Sequence, residues 1–301
     1  MKDLPQKSKK KTGPSRITKV FIPLIILILV LSYITYFFSS NYVAPPSPSS
    51  FKQADWMSLI PSQVEGFRYL NITALMSYPN LFQGGTLLSI PSLNLSLSLS
   101  DVTYGVDILI GEDEVVTVIA LKPSVLDEVS LVLNNSSLET ASYRNVSIYF
   151  LPVSPVNIEG SAWICLHRGA LIFSEGKIAD AVKILDAAKL VIDSDLNPFF
   201  SNDSLKVGYL LSSLGEDQLS FSYFKSGNNS YNVDWEMRSV RSGLTVRYLL
   251  HFPSSSLVDS EYSDVVKVFF AKSKSVYKSD FFIFGDFTYS PSEIRSVIMG
   301  L

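Results

Sequence analysis

The 301-residue sequence contains one cysteine, Cys165, and only two histidines, His167 and His251. A single cysteine cannot form a disulfide within the chain, so the fold is not one that internal disulfides hold together. Cys165 lies in the apolar stretch 162–166, where we expect a buried thiol that packs as a small apolar side chain. No His-x-x-x-His or cysteine–histidine spacing is present, so no zinc site is predicted.

The signatures of several enzyme classes are also missing. No G-x-S-x-G motif and no phosphate-binding glycine loop occurs, and the two histidines are far apart in the sequence. The acidic turns at 112–114 and 193–195 carry calcium-type ligands but lack the twelve-position calcium loop, so we expect solvated turns. We therefore predict no catalytic residue, no cofactor and no metal site. A carboxylate pair for glycoside hydrolysis has no fixed spacing in a sequence, so a carbohydrate-active enzyme remains the least favoured alternative.

Charge is distributed unevenly along the chain. Residues 1–19 contain seven basic residues and one acid, which leaves 18 basic and 27 acidic residues in the rest. An acidic body has no electrostatic attraction for phosphate backbones, so nucleic acid is excluded as a predicted partner. The basic tail directly precedes an apolar segment, and this position is typical of the cytoplasmic side of a membrane anchor.

The apolar segment runs from Val20 to Phe38 without a charged residue. As a helix its 19 residues would be about 28 Å long, close to the thickness of a bilayer's hydrocarbon core. A cleaved signal peptide is the alternative, but its apolar core is usually shorter, about 7–15 residues, and no small-x-small site follows Phe38. We predict a retained transmembrane helix at 20–38 that contacts the lipid bilayer, with the tail at 1–19 in the cytoplasm and the rest of the chain outside.

The segment at 39–54 is rich in proline and serine and is predicted to be a short, stiff linker. The remaining residues, 55–301, are predicted to form one extracytoplasmic domain. A similar order of predicted elements occurs twice within this domain, which suggests two related halves at 55–215 and 216–301, although no residue-level repeat supports the division.

N-glycosylation triplets provide a second indication of an external location. Each consists of asparagine, a residue other than proline, and serine or threonine, and all of them lie beyond residue 50. The candidate acceptors are Asn71, Asn94, Asn134, Asn135, Asn145, Asn202 and Asn228. The stretch SLNLSLSLS at 92–100 alternates leucine with small polar residues, which predicts a strand over 93–102 with Asn94 on its solvent face. Many triplets without disulfides are typical of an archaeal cell surface.

Periodicity predicts an α+β fold, in which helices cover one face of an antiparallel sheet. Strands are expected at 107–110 and 115–121 around a turn, then at 145–151, 162–173, 219–225, 231–240, 244–252 and 280–289. Helices are expected at 74–78, 123–133, 176–189 and 256–272, with a last helix opening at Pro291. The apolar run 281–284 predicts either a central strand or a contact surface.

Part of the chain resembles a family of membrane-anchored prokaryotic ectodomains that has no assigned function. The likeness covers about residues 115–225 and depends on the segment 139–149, the strands at 162–175, the helix at 176–188 and Asn197-Pro198-Phe199-Phe200. Members usually carry glycine in a Tyr-x-Gly turn, where this chain has Asn145, a residue that also adopts positive φ. The resemblance implies an anchored ectodomain and no catalytic residues.

These observations favour a single-pass cell-surface protein with a glycosylated ectodomain. We expect a structural or interaction module without catalytic activity, which contacts a cell-surface protein partner. The main alternative is an extracytoplasmic protein that binds a small solute, and an aromatic-lined cleft with convergent polar groups would favour that alternative.

Overall fold

The computed structural model of the chain describes residues 41–77, 85–111, 114–155, 160–177, 180–213, 218–225, 232–240, 243–268, 270–273, 275–290 and 293. The basic tail at 1–19 and the membrane span predicted at 20–38 lie outside these residues, as does most of the helix predicted from Pro291. No helix within the described part of the chain is both long enough and apolar enough to cross a bilayer. Residues Ala44–Leu301 form one structural unit.

The described residues contain fourteen β-strands and five α-helices. The strands are β1 Gly66–Leu70, β2 Thr86–Ile90, β3 Leu95–Ser98, β4 Val102–Leu109, β5 Val115–Leu121, β6 Thr140–Tyr143, β7 Val146–Leu151, β8 Gly160–His167, β9 Ala170–Lys177, β10 Gln218–Phe224, β11 Asn232–Val240, β12 Gly243–His251, β13 Ser275–Ser279 and β14 Phe282–Tyr289. The helices are α1 Ile72–Leu75, α2 Pro123–Asn134, α3 Ala181–Ile192, α4 Asp203–Ser212 and α5 Ser255–Val268.

Twelve of the described strands form one antiparallel sheet in the order β13-β14-β12-β11-β10-β1-β4-β5-β9-β8-β7-β6. The strands β2 and β3 pair separately as a small hairpin. The prediction of a mixed α+β fold built on an antiparallel sheet is therefore confirmed. The apolar run 281–284 enters β14, which lies between β12 and β13, and its residues 282–284 are buried.

The helices cover both faces of the sheet, so the prediction that they lie on one face is wrong. In β8, Trp163 and Cys165 pack in a core with α3, whereas Ala162 and Ile164 pack in a second core with α2. Successive side chains of a strand point to opposite faces, so α3 and α2 lie on opposite sides of the sheet. The physical reason is that β5, β8 and β9 are apolar at consecutive positions, and both faces of these strands need cover.

Two hairpins turn through two residues with positive φ. Arg144 and Asn145 connect β6 to β7 with φ of 48° and 65°, and Arg168 and Gly169 connect β8 to β9 with φ of 51° and 75°. Positive φ at both central residues is the type I′ geometry, which matches the twist of paired strands. Asn145 therefore adopts the left-handed conformation expected of it.

Several element boundaries differ from the predicted ones. The strand predicted over 93–102 is broken, because Asn94 adopts φ of 49° after a 3₁₀ turn and only Leu95–Ser98 is extended before a second 3₁₀ turn. The helix predicted at 176–189 begins later, because Gly176 and Lys177 still pair with β8. The helix predicted at 256–272 is α5, which ends at Val268. The strand β13 and the helix α4 were not predicted.

The two predicted halves meet at the centre of the sheet. There β1 pairs with β10, and Phe67 lies opposite Tyr223 while Tyr69 lies opposite Phe221. In the first half, β1, β4 and β5 pair in that order, and a helix, α2, precedes the later strand β9, which pairs with β5. In the second half, β10, β11 and β12 pair in that order, and a helix, α5, precedes the later strand β14, which pairs with β12. The prediction that the two halves are related stays a prediction.

Aromatic side chains cover the junction of the two halves. The ring of Trp56 stacks on Tyr69 at 4.4 Å and also contacts Phe67, Phe200 and Phe221. Phe67 is 1% exposed and contacts Phe199 as well. Because this cluster takes side chains from β1, β10 and two connecting segments, it ties all of them together.

Replacing Phe67 with alanine is expected to lower the free energy of unfolding by about 3–5 kcal/mol, because a fully buried ring is lost from the junction. The control is Val182→Ala, at a helix position that is 73% exposed, where a change within about 0.5 kcal/mol is expected. Urea unfolding of the full-length chain, followed by tryptophan fluorescence, measures both. Equal effects of the two substitutions would contradict the central role of Phe67.

Candidate functional site

A cavity of about 500 Å³ lies where four segments of the chain converge. The segments are the proline-rich linker, the first turn of α4, the end of β12, and the turn from β13 to β14. The described residues that line the cavity are Pro45, Pro46, Pro48, Asp203, Ser204, Val207, His251, Phe252, Pro253, Ser279, Asp280, Phe281 and Phe282. Its volume lies in the range of small-molecule sites, about 300–1,000 Å³.

Ser204 and His251 form a polar pair in the cavity wall. The side chain of Asn202 caps α4 by accepting a hydrogen bond from the Ser204 N–H at 2.8 Å, which fixes Ser204 in the first turn. The hydroxyl of Ser204 lies 2.8 Å from Nε2 of His251. The His251 ring stacks on Phe282, with its centroid 4.7 Å from that of the phenyl ring. His251 lies within the strand predicted at 244–252, whereas Ser204 has no distinguishing signal in the sequence because serine is abundant throughout the chain.

The pair lacks the features of an activated serine nucleophile. Among the described residues, no carboxylate contacts the second ring nitrogen of His251, whereas a catalytic triad uses such a contact to orient the imidazole. Burial also lowers the pKa of His251, so the ring is neutral at pH 7 and a weaker base than an exposed histidine. The Ser204–His251 pair can offer hydrogen bonds to a ligand.

Ser279, at the end of β13, lines the cavity, but its hydroxyl is shielded from the cavity by the fold. It is 1% exposed, and its hydroxyl has no hydrogen-bond partner among the described residues. A buried hydroxyl without a partner is costly, and such groups are often satisfied by a ligand or by water. Nothing in the sequence around Ser279 identifies it, because β13 itself was not predicted.

Most of the cavity wall is apolar. Val207 contributes from α4, Phe252 follows β12, and Phe281 contributes a phenyl ring that is 42% exposed. The three prolines of the linker form the remaining apolar side. The cavity therefore has apolar walls and a few polar lining residues, which include serines and one histidine. This is the usual composition of a small-ligand site.

The acidic turn at 193–195 is part of an ion-pair network. Asp193 pairs with Arg144 at 2.7 Å, and Asp195 pairs with Arg168 at 2.6 Å, so the two hairpin turns are tied to the end of α3. The other acidic turn, at 112–114, is described only at Glu114. Among the described residues no group of three or more histidine, cysteine or acidic side chains is arranged to hold a metal ion.

Cys165 is fully buried in β8, and burial raises the pKa of its thiol to about 12. It therefore has the environment of the small apolar side chain that its sequence context predicts.

The candidate glycosylation sites differ in accessibility. The exposed asparagines are Asn94, Asn134, Asn135, Asn145 and Asn202, whereas Asn71 is half-buried and Asn228 lies outside the described residues. Asn71 caps α1 through its oxygen and donates from its amide nitrogen to the Gln218 carbonyl, so both ends of its amide are in use.

Three of the exposed asparagines are in an especially open setting. Among the described residues, no hydrogen bond joins the side chains of Asn94, Asn135 or Asn145 to another group, whereas Asn134 accepts one from Tyr149. In the Asn202 triplet the serine is Ser204, whose hydroxyl is bound to His251.

The comparisons with known proteins assign no family. No family model and no curated protein matches the chain. Among solved structures, crystal form I of TP0453 has a TM-score of 0.45 and 10% identity, and covers 81% of this chain and 96% of its own. Crystal form III of TP0453 gives a TM-score of 0.44 and 9% identity, with 83% and 99% covered. Likenesses this weak carry no functional assignment, and the resemblance to anchored ectodomains stays a prediction.

We expect glycans at Asn94, Asn135 and Asn145, because their amide nitrogens are exposed and unengaged within the fold. Each triplet is removed by a serine substitution that keeps the asparagine and its backbone conformation: Ser96→Ala, Ser137→Ala and Ser147→Ala. Each variant should lose one glycan in gel mobility and in glycopeptide mass spectrometry of the native protein. Thr73→Ala, which removes the Asn71 triplet, is the control and should leave mobility unchanged. A wild-type chain without any glycan would contradict both the site assignment and the external location.

Stability is expected to fall on acidification through about pH 6.5, the ordinary pKa of histidine. Burial lowers the pKa of both His251 and His167 in the folded state, so the unfolded chain binds protons more readily and acid favours unfolding. Thermal unfolding at about pH 7.5 and about pH 5.5 should show a smaller loss of Tm in His251→Gln than in wild type. The double variant H167Q/H251Q should show the smallest loss of Tm. A loss equal to that of wild type in both variants would contradict the lowered pKa of the two histidines in the folded state.

Proposed function

We propose that the chain is a membrane-anchored cell-surface protein whose α+β domain binds a small solute. The single observation that carries the binding role is the cavity of about 500 Å³, in which the Ser204–His251 pair lies between apolar walls. The sequence favours a structural or interaction module, with solute binding as the main alternative. An aromatic-lined cavity with convergent polar groups was the feature that distinguishes the two, and it supports the alternative.

The membrane location in this proposal comes from the sequence. The charge-free segment at 20–38 and the seven basic residues before it support a single span with a cytoplasmic N-terminus. The exposed glycosylation triplets of the domain are consistent with an extracytoplasmic body.

We infer binding rather than catalysis from the chemistry of the cavity. Ser204 has a histidine partner, but that histidine has no orienting carboxylate among the described residues and its pKa is lowered by burial. Asp203 forms an ion pair with Lys206 at 2.8 Å. A small apolar ligand, in contrast, needs only the existing walls and polar groups.

The proposal is tested by filling the cavity. Val207→Trp adds an indole to the wall and is expected to weaken binding of the apolar fluorophore N-phenyl-1-naphthylamine by at least about tenfold, since the solute and the ring compete for one space. The full-length chain is held in lipid nanodiscs, the fluorophore is excited directly, and the signal of empty nanodiscs is subtracted.

The matched control is Val182→Trp, at the exposed position on α3, which should bind the fluorophore as the wild type does. Circular dichroism and Tm verify that both variants are folded. Equal saturable binding by wild type and Val207→Trp would refute the cavity as the binding site.

A further inference from the structure

We propose that an N-glycan on Asn135 packs into a groove beside α2 and covers the exposed side chain of Leu131. A second glycan, on Asn94, closes the groove from the opposite side. The groove shares no described lining residue with the solute cavity, so this inference goes beyond the proposed function and does not depend on it.

The groove lies between the end of α2 and the 3₁₀ turn that precedes β3, and its volume is about 490 Å³. Its apolar lining consists of Pro91, Leu93, Leu131, Val132 and Leu138, and serines and asparagines complete it. Leu131 is 63% exposed. A single exposed leucine is ordinary, but a leucine in an apolar groove bordered by polar residues marks a surface that binds or is covered.

Two glycosylation acceptors lie in this groove, one on each side. Asn135 directly follows α2, and Asn94 follows the 3₁₀ turn. Both line the groove and both are exposed. Among the described residues no hydrogen bond engages either side chain, whereas the neighbouring Asn134 accepts one from Tyr149. A glycan attached to Asn94 or Asn135 therefore begins inside the groove.

Helix geometry directs the Asn135 glycan onto Leu131. The backbone N–H of Asn135 donates to the Leu131 carbonyl at 3.1 Å, and Asn135 keeps right-handed φ and ψ of −91° and −1°. The two residues are thus one turn apart, at positions i and i+4, on the same face. Side chains of a helix lean toward its N-terminus, so a group carried by Asn135 covers the preceding turn, which contains Leu131.

The lining of the groove also suits a sugar. A pyranose ring presents C–H groups on its faces and hydroxyls around its edge, so it can contact apolar side chains and hydrogen-bond with serines at once. Ser92 and Ser137 provide such hydroxyls, and none of the described lining residues is charged. Because the sugar is attached to the groove itself, its effective concentration is high, and weak contacts are enough to keep it there.

The experiment is hydroxyl-radical footprinting, in which the oxidation rate of a side chain increases with its exposure to solvent. The full-length chain is produced in a host that N-glycosylates exported proteins and, separately, in a host that does not. Leu196, a leucine of nearly equal exposure at 65%, is the internal standard for the oxidation rate of Leu131. Glycopeptide mass spectrometry of the same samples reports which asparagines are modified.

Ser137→Ala removes the Asn135 triplet and should raise the normalised oxidation rate of Leu131 in the glycosylated chain by at least about threefold, because a bulky group is lost from above it. Ser137→Thr is the matched control, since it keeps a triplet and a hydroxyl and should leave the rate as in wild type. Ser96→Ala, which removes the Asn94 triplet, should raise the rate to a smaller extent. In the chain from the host without N-glycosylation, Ser137→Ala should have no effect, which separates loss of the glycan from loss of the serine hydroxyl.

The proposal fails if native Asn135 carries no glycan, or if Leu131 is oxidised equally fast in glycosylated wild type and in Ser137→Ala. Protection of Leu131 that persists in the double variant S96A/S137A would also overturn it, because a second protein chain would then be the occupant of the groove. None of these results bears on the Val207→Trp test, so the proposed solute binding stands or falls separately.

Discussion

The pairing of β1 with β10 is the constraint on which the rest of the domain depends. It joins strands that are about 150 residues apart in the sequence, and it makes one continuous sheet from two groups of strands. The backbone ladder alone would not specify this contact, because any exposed strand edge can pair with another. The aromatic cluster around Trp56 and Phe67 supplies the specificity, since those rings pack well only when β1 and β10 lie side by side.

The sequence predicts the local parts of this fold better than their arrangement. The hairpin of β4 and β5, the helix α2 with Pro123 in its first turn, and the conformation of Asn145 follow from periodicity and turn chemistry. The helix α4 is missed because glycine and several serines dilute its apolar face. The distribution of helices over both faces depends on which strands become central, and that is a property of long-range pairing.

The candidate site is harder still to predict, because its parts are brought together only by that pairing. Asp286 and Arg247, for example, form a partly buried bidentate pair across β12 and β14, and the same pairing aligns His251 with Phe282. Ser204 comes from the last helix of the first half, and Ser279 comes from a strand that the sequence did not indicate. The sequence places His251 at the end of a predicted strand, but it does not distinguish Ser204 and Ser279 from the many other serines of the chain.

The proline segment that follows the predicted span also forms a wall of the cavity, and this double role has a mechanical consequence. In the proposed membrane-anchored protein, tension along the linker would act first on Pro45, Pro46 and Pro48, and pulling these prolines away would open the cavity. Linkage is reciprocal, so a bound solute that contacts these prolines would in turn increase the force needed to detach them. In that proposed arrangement, occupancy of the cavity and load on the chain would be coupled through these prolines.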